Sequence, residues 1–170
     1  MMDFKKLFLK GIDFEDFLEQ ADENSRKKIE DIYGKINFND KLVERINEIN
    51  KKVKVLVFAE SWCPDCIAAV PVLIKMAKTS GVIDYAILPK EGNEELLENY
   101  KYDGKPRIPT FIFLDENYRE LGNYVEIPAK IKEIYEKGMQ ADYIVARRNY
   151  RNGLYSDMIA EEFLNIIEGR

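Results

Sequence analysis

Residues 53–66 read VKVLVFAESWCPDC, and this stretch contains both features from which the fold can be predicted. Its first half, residues 53–59, is an almost continuous apolar run rich in valine, which is typical of a strand buried on both faces of a sheet. Its second half places Cys63 and Cys66 in a C-x-x-C motif where the strand ends. Pro64 favours the first position of a helix, where a backbone N–H would have no partner. We therefore predict a strand, a turn and a helix that begins at the cysteine pair.

The segments around this motif predict an α/β domain. The apolar periods indicate three more strands and three helices, namely strands at 82–88, 109–114 and 120–127 and helices at 64–80, 93–100 and 130–137. Strand–helix–strand order implies a parallel pair, whereas the short turn at 115–118 implies an antiparallel hairpin. We expect a mixed four-stranded sheet flanked by helices over residues 52–138. Helical extensions are expected at 1–51 and 139–170, all within one compact domain.

The composition excludes several kinds of chemistry. The 170 residues contain no histidine, so Ser-His-Asp triads, Cys-His pairs and histidine metal sites are ruled out. A net charge of -5 with dispersed lysines gives no electrostatic footprint for nucleic acid. No apolar run approaches the roughly 18 residues of a membrane helix, and the first residues lack the long apolar region of a signal peptide. We expect a cytoplasmic protein with neither nucleic-acid nor membrane partners.

The two cysteines are expected to differ in reactivity. Cys63 should lie at the helix start, where unpaired backbone N–H groups and the helix dipole stabilise a thiolate and lower its pKa. Cys66 lies one turn further along and should be less exposed and less acidic. Cys63 would then attack a substrate disulfide, and Cys66 would release the reduced substrate from the mixed disulfide. Asp65 adds negative charge beside Cys63, which opposes the effect of the dipole, and the sequence leaves open which prevails.

Two prolines outside the motif are expected to support this site. Pro71 falls inside the helix, where it should produce a kink. Pro109 follows Ile108 at the start of a strand and is a candidate for a cis peptide bond. Such a bond would turn the Ile108 backbone toward the cysteines, where an extended substrate segment could pair with it. Arg107 precedes this pair and is interpreted as a solvated loop residue, or alternatively as a group that stabilises the Cys63 thiolate or binds an acidic substrate.

These motifs make the chain similar to the thioredoxin superfamily over about residues 53–137. The resemblance rests on W-C-x-x-C after a buried strand, on Pro71 five residues beyond the second cysteine, and on the Ile-Pro-Thr of residues 108–110. It implies a thioredoxin-like fold with Cys63 as the attacking cysteine and Cys66 as the resolving one. Trp62 would pack beside them, and Pro109 would be the cis-proline.

The chain departs from thioredoxin itself at two places. Thioredoxin carries a buried aspartate six residues before the first cysteine, which moves protons to and from the resolving thiol, and Val57 stands here instead. Glu60 is the nearest acid and could replace that aspartate, as could water. Pro64 and Asp65 stand between the cysteines in place of the Gly-Pro of thioredoxin, and this form resembles thioredoxin-related proteins.

The sequence therefore predicts a thiol-disulfide oxidoreductase that acts as a disulfide reductase through a redox-active Cys63–Cys66 pair. Its substrate would be a disulfide-containing protein or a small thiol compound, and an external reductase or a low-molecular-weight thiol would re-reduce it. No organic cofactor or metal is expected, because the chain has no G-x-G-x-x-G stretch and too few metal ligands. The alternatives are a non-catalytic thioredoxin-fold adaptor, and a dimer that bridges a metal or cluster through its C-x-x-C motifs.

A small basic cluster lies in the C-terminal part of the chain and comprises Arg147, Arg148 and Arg151. Charged residues on helices mostly face water. We expect this cluster to be a solvated helix face rather than a partner site.

Overall fold

The computed structural model describes residues 2–170 and contains a four-stranded sheet with helices packed on both faces. The helices are α1 (Phe4–Lys10), α2 (Phe14–Gln20), α3 (Glu23–Lys35), α4 (Asp40–Asn47), α5 (Pro64–Ser80), α6 (Glu94–Leu97), α7 (Ala129–Glu136), α8 (Gln140–Arg151) and α9 (Ser156–Glu168). The strands are β1 (Val53–Phe58), β2 (Ile83–Leu88), β3 (Lys101–Tyr102), β4 (Lys105–Pro106), β5 (Thr110–Leu114) and β6 (Glu120–Val125).

The sheet has the strand order β2-β1-β5-β6. β1 and β2 are parallel, and β5 is antiparallel to both β1 and β6. The predicted thioredoxin-like fold, with its mixed sheet and helical extensions at both ends, is confirmed. Within residues 2–170, no helix is long and apolar enough to cross a membrane.

Successive residues of β1 pack alternately into two hydrophobic cores, one on each face of the sheet. Val55 and Val57 face α5 and the C-terminal helices, whereas Leu56 and Phe58 face α1 and α6. This alternation explains why the strand is apolar along nearly its whole length, because both of its faces are covered. The buried β1 therefore holds the start of α5 at one end of the sheet.

Local signals in the sequence set the bounds of several helices. The first four helices begin at side chains that accept a backbone N–H, namely Asp3, Asp13, Asp22 and Asn39. α5 runs from Pro64 to Ser80 as predicted, with Pro71 inside it, and ends at Gly81 in the left-handed region with φ 68°. Gly81 adopts this positive φ without strain, whereas a residue with a side chain would be strained there.

Two elements differ from the prediction. The helix expected over 93–100 is only α6, because Asn99 and Tyr100 donate to carbonyls three residues back and the helix closes in a tight turn. The segment 101–106 forms the small hairpin of β3 and β4, which the sequence analysis did not predict. Two-residue strands are too short to produce a period in the sequence.

Candidate active site

The cysteine motif lies where β1 passes into α5. Cys63 is the N-cap residue of α5 in an extended conformation, and Pro64 takes the first helical position, as predicted. Both thiols are free. Cys63 is 7% exposed and Cys66 is fully buried, so only the first sulfur can be reached from solvent.

The two thiols have pKa values shifted in opposite directions. The pKa of Cys63 is lowered, first by a hydrogen bond from the Cys66 thiol and then by the backbone N–H groups at the helix start, while burial and the charge of Asp65 oppose this. The pKa of Cys66 is raised well above its ordinary value by burial, and by its role as hydrogen-bond donor to Cys63. The predicted directions agree with the structure. The largest cause of the Cys63 shift is the neighbouring thiol, which the sequence analysis did not consider.

The loop before β5 forms the other wall of the site. The Ile108–Pro109 peptide bond is cis, as expected. The carbonyl oxygen of Ile108 lies 3.9 Å from Sγ of Cys63. Thr110 Oγ1 donates to the carbonyl of Arg107 at 2.7 Å, which fixes the loop just before this contact. The Ile108 backbone therefore borders the one sulfur of the pair that is exposed to solvent.

Trp62 and Glu60 lie in the turn that precedes the cysteines. Trp62 is 64% exposed, an unusual position for so large an apolar side chain. The Glu60 carboxylate accepts a hydrogen bond from the Lys90 backbone N–H at 2.9 Å and so ties this turn to the end of β2. The backbone of Glu60, by contrast, faces the Cys66 thiol and lowers its pKa slightly against the effect of burial. Proton transfer by the Glu60 carboxylate remains a prediction.

Asp65 faces the C-terminal helices rather than solvent. It is 5% exposed, and its carboxylate accepts from Nη2 of Arg147 at 2.7 Å and from Nε of Arg151 at 3.1 Å. The prediction of a solvated basic face was therefore wrong for Arg147, whose side chain is 15% exposed, whereas Arg148 and Arg151 are exposed as expected. The buried carboxylate of Asp65 and the two arginines on α8 offset one another's charge, with Arg147 half-buried and Arg151 at the exposed side of the contact.

Glu126 extends this contact to the loop before β5. Its carboxylate lies 3.3 Å from Nη1 of Arg147 and 3.4 Å from Nε of Arg107. Its backbone N–H donates to the carbonyl of Pro109 at 2.8 Å. Burial raises the pKa of Glu126 despite the two arginines. Arg107, interpreted from sequence as a solvated loop residue or a neighbour of Cys63, pairs with this buried carboxylate, and its effect on Cys63 or on an acidic substrate stays a prediction.

Sequence reasoning missed Glu126 and Arg147 as parts of the site. Arg147 is 82 residues from Asp65 along the chain, so no local motif connects them. Within residues 2–170, no group of three histidine, cysteine or acidic residues could hold a metal ion.

Comparisons with known proteins agree with this geometry. A family model described as thioredoxin matches residues 11–143. Thioredoxin H5 of Arabidopsis thaliana is 29% identical over 107 residues, which are 61% of this chain and 84% of that protein. Two crystal structures align over 99% of both chains with a TM-score of 0.86. They are a Pseudomonas aeruginosa protein of unknown function, 28% identical, and an HIV epitope-scaffold, 25% identical. Because the overlap is nearly complete, the added helices are shared with these structures.

Proposed function

This chain belongs to the thioredoxin superfamily, and on that premise we propose that it is a thiol-disulfide oxidoreductase that acts as a disulfide reductase. The observation that carries the proposal is the contrast within the motif. Cys63 is partly accessible and has a lowered pKa, whereas Cys66 is fully buried and has a raised pKa. A dithiol of this kind has one sulfur prepared to attack and one kept protonated until it is needed.

The reaction would begin at Cys63. Its thiolate attacks one sulfur of a substrate disulfide, a new S–S bond forms to Cys63, and the other substrate sulfur leaves as a thiolate that takes up a proton. Cys66 then gives its proton to the Glu60 carboxylate or to water and attacks Sγ of Cys63, which forms the Cys63–Cys66 disulfide and releases the second substrate thiolate. Two electrons have then passed from the dithiol to the substrate. An external reductase or a low-molecular-weight thiol would return the protein to its reduced form.

The walls of the site support roles for the neighbouring residues. The Ile108 carbonyl beside Cys63 is suited to hold an extended substrate segment, and Pro109 sets the direction of that loop. Trp62 offers an exposed apolar surface one residue before Cys63 in the chain. We place the activity in the cytoplasm, where thiols are kept reduced, and we assign it no organic cofactor or metal.

A redox titration in dithiol buffers, read by fluorescence of Trp62, tests the proposal. Trp62 is the one tryptophan of the chain and adjoins Cys63, so its emission should respond to the disulfide. We expect a reversible two-electron transition near the roughly −270 mV of thioredoxin, whereas one near roughly −120 mV would indicate an oxidant. If both thiols stay free in oxidising buffer, the proposal fails and the adaptor alternative is favoured.

Two serine variants test the order of attack. Cys63→Ser should abolish disulfide reduction, because the buried Cys66 cannot reach a substrate. Cys66→Ser should accumulate a mixed disulfide through Cys63, visible as a mass increase that a thiol reagent reverses. Full turnover by Cys66→Ser would contradict the two-cysteine mechanism.

A further inference from the structure

One arginine of the C-terminal extension contacts both walls of the cysteine site. Arg147 donates through Nη2 to Asp65 at 2.7 Å, and through Nη1 to Glu126 at 3.3 Å and to the Tyr143 hydroxyl at 2.7 Å. Its side chain is 15% exposed. Asp65 stands between the two cysteines and Glu126 stands against the cis-proline loop. A single guanidinium therefore joins the start of α5 to the loop that faces it.

Glu126 is held firmly in its place between these walls. Its φ of 67° lies in the left-handed region, which is uncommon for a residue other than glycine. Its N–H donates to Pro109, and its carbonyl accepts from the buried Tyr150 hydroxyl at 3.2 Å. The carboxylate is consequently aimed at Arg107 on one side and at Arg147 on the other. A shift of Arg147 would be transmitted to the loop that carries Ile108.

The charges of this group act on Cys63 in a definite direction. The charged side chain with the largest influence on the pKa of Cys63 is Asp65, which lies on α5 as Cys66 does. Asp65 disfavours the Cys63 thiolate because like charges repel. Asp65 itself faces Arg147 and Arg151 of α8, and Arg147 faces Glu126 and Tyr143 as well. The positive charge of Arg147 offsets the negative charge nearest to Cys63.

We propose that Arg147 is a positioning residue of the dithiol site, which preserves the acidity of Cys63 by neutralising Asp65 and holds the cis-proline loop in place through Glu126. The inference rests on the proposed function for its effect on catalysis. The C-terminal extension, through α8, would then act as part of the active site. Its effect on the acidity of Cys63 can be measured without any turnover.

The pH dependence of Cys63 alkylation by iodoacetamide tests the electrostatic part. Cys66 is buried, so the reagent reports on Cys63 in the intact dithiol protein. Arg147→Met should move the midpoint to higher pH and slow alkylation below the midpoint by about threefold to tenfold, the effect of roughly half to one pKa unit. Asp65→Asn should move the midpoint in the opposite direction. General loosening of the site would not give opposite signs for the two partners of one ion pair.

Two further variants separate charge from position. Arg147→Lys keeps the charge, but one ammonium group cannot reproduce the bidentate contact to both carboxylates. Its alkylation midpoint should stay near that of the wild type, while kcat/KM for reduction of a disulfide-containing peptide should fall by about tenfold, which is roughly 1.4 kcal/mol. Arg148→Met, an exposed neighbour on the same helix, is the matched control and should change neither quantity.

The outcomes distinguish this inference from the proposed function. If Arg147→Met leaves the midpoint unchanged, or if Asp65→Asn shifts it in the same direction, the inference is wrong. Should Arg147→Met fail to fold, the decision rests on Asp65→Asn, for which an unchanged midpoint would also refute the inference. A further outcome is that the wild-type protein shows no disulfide transition in the redox titration, while Arg147→Met and Asp65→Asn still shift the alkylation midpoint as expected. That result would reject the proposed function and leave this inference standing.

Discussion

The two sulfurs of the motif lie three residues apart, one at the N-cap of α5 and one in its first turn, and their environments shift the two pKa values in opposite directions. The hydrogen bond from Cys66 to Cys63 stabilises the thiolate at one position and retains the proton at the other. Burial disfavours the thiolate form of both cysteines. At Cys66 no interaction of similar size lowers the pKa again. In the proposed reaction, Cys66 would therefore keep its proton until Cys63 had entered a mixed disulfide and no longer accepted its hydrogen bond.

Glu162, a half-buried acid outside the site, gives a separate prediction at the scale of a single residue. Burial raises the pKa of Glu162 more than its hydrogen bond from the Ala129 N–H and the charge of Lys132 lower it. A raised folded-state pKa contributes stability below the ordinary pKa of glutamate, and this contribution is lost as pH rises through the folded value. Glu162→Gln does not titrate. Its free energy of unfolding relative to wild type should therefore increase from about pH 4 to about pH 7.

Urea denaturation at several pH values across that range measures this difference. Glu161→Gln is the matched control, because Glu161 is the exposed neighbour on the same helix. The free energy of unfolding of Glu161→Gln should change with pH in the same way as that of the wild type. A Glu162→Gln curve that falls relative to wild type with rising pH would show that the carboxylate is better stabilised in the folded protein than in the unfolded one.

Among the elements, the N-terminal segment is attached to the sheet by backbone contacts at the outer edge of β2. Ile12 and Ile87 exchange two hydrogen bonds of 2.9 Å, which adds a short bridge beyond β2 and covers part of that edge. Gly11 precedes the bridge and lies against Ala86. A Cβ on Gly11 would come within 2.5 Å of the Ala86 Cβ and within 3.0 Å of its backbone carbon. This approach leaves room only for glycine.

Gly11→Ala should therefore destabilise the protein, by about 1–3 kcal/mol, because the clash involves backbone that cannot rotate away. Gly34 in α3 is the contrasting site, since a Cβ there meets nothing within 4 Å. Gly34→Ala should instead stabilise by about 0.5–1 kcal/mol through helix propensity. Chemical denaturation of both variants measures these changes in the free energy of unfolding. A Gly11→Ala protein as stable as the wild type would mean that α1 does not stay docked on β2.

For the whole molecule, α9 completes the core on one face of the sheet. The ring of Phe163 lies 4.8 Å from that of Phe111, 5.2 Å from Phe113 and 5.1 Å from Tyr124, as centroid distances. The C-terminal extension is thus packed on β5 and β6, the two strands next to the site. We expect residues 1–170 to unfold as one unit rather than as a core with separable additions.

Phe163→Ala should lower the free energy of unfolding by about 3–5 kcal/mol, a large part of the roughly 5–15 kcal/mol of a typical domain. Leu154→Ala is the control, because Leu154 is 66% exposed and its loss should change stability by less than about 0.5 kcal/mol. A chain that ends at Gly138 should show no cooperative thermal transition by circular dichroism. A transition close to that of the full chain would mean that the core folds without its extension.

The sequence predicted the parts of this molecule that depend on neighbours along the chain. Pro64 and Gly81 mark the ends of α5 because each residue favours its position through its own backbone chemistry. The buried strands follow from their apolar period. The partnership of Asp65 with Arg147 was beyond such reasoning, because it depends on how α5 and α8 pack after 82 residues of intervening chain. Burial of these charges also runs against the usual exposure of acids and arginines.

The small exposed fraction of Cys63 has a consequence for the kinetics of any exchange partner. A sulfur that is 7% exposed leaves a partner little room to approach, and the Ile108 carbonyl borders it at 3.9 Å. A disulfide on a protruding loop or a frayed terminus can be brought into line with it. One that is recessed between strands of its own protein must first be uncovered by local opening. For such partners the rate of exchange would be set by how often the partner opens locally. Two proteins with equal reduction potentials could therefore be reduced at very different rates.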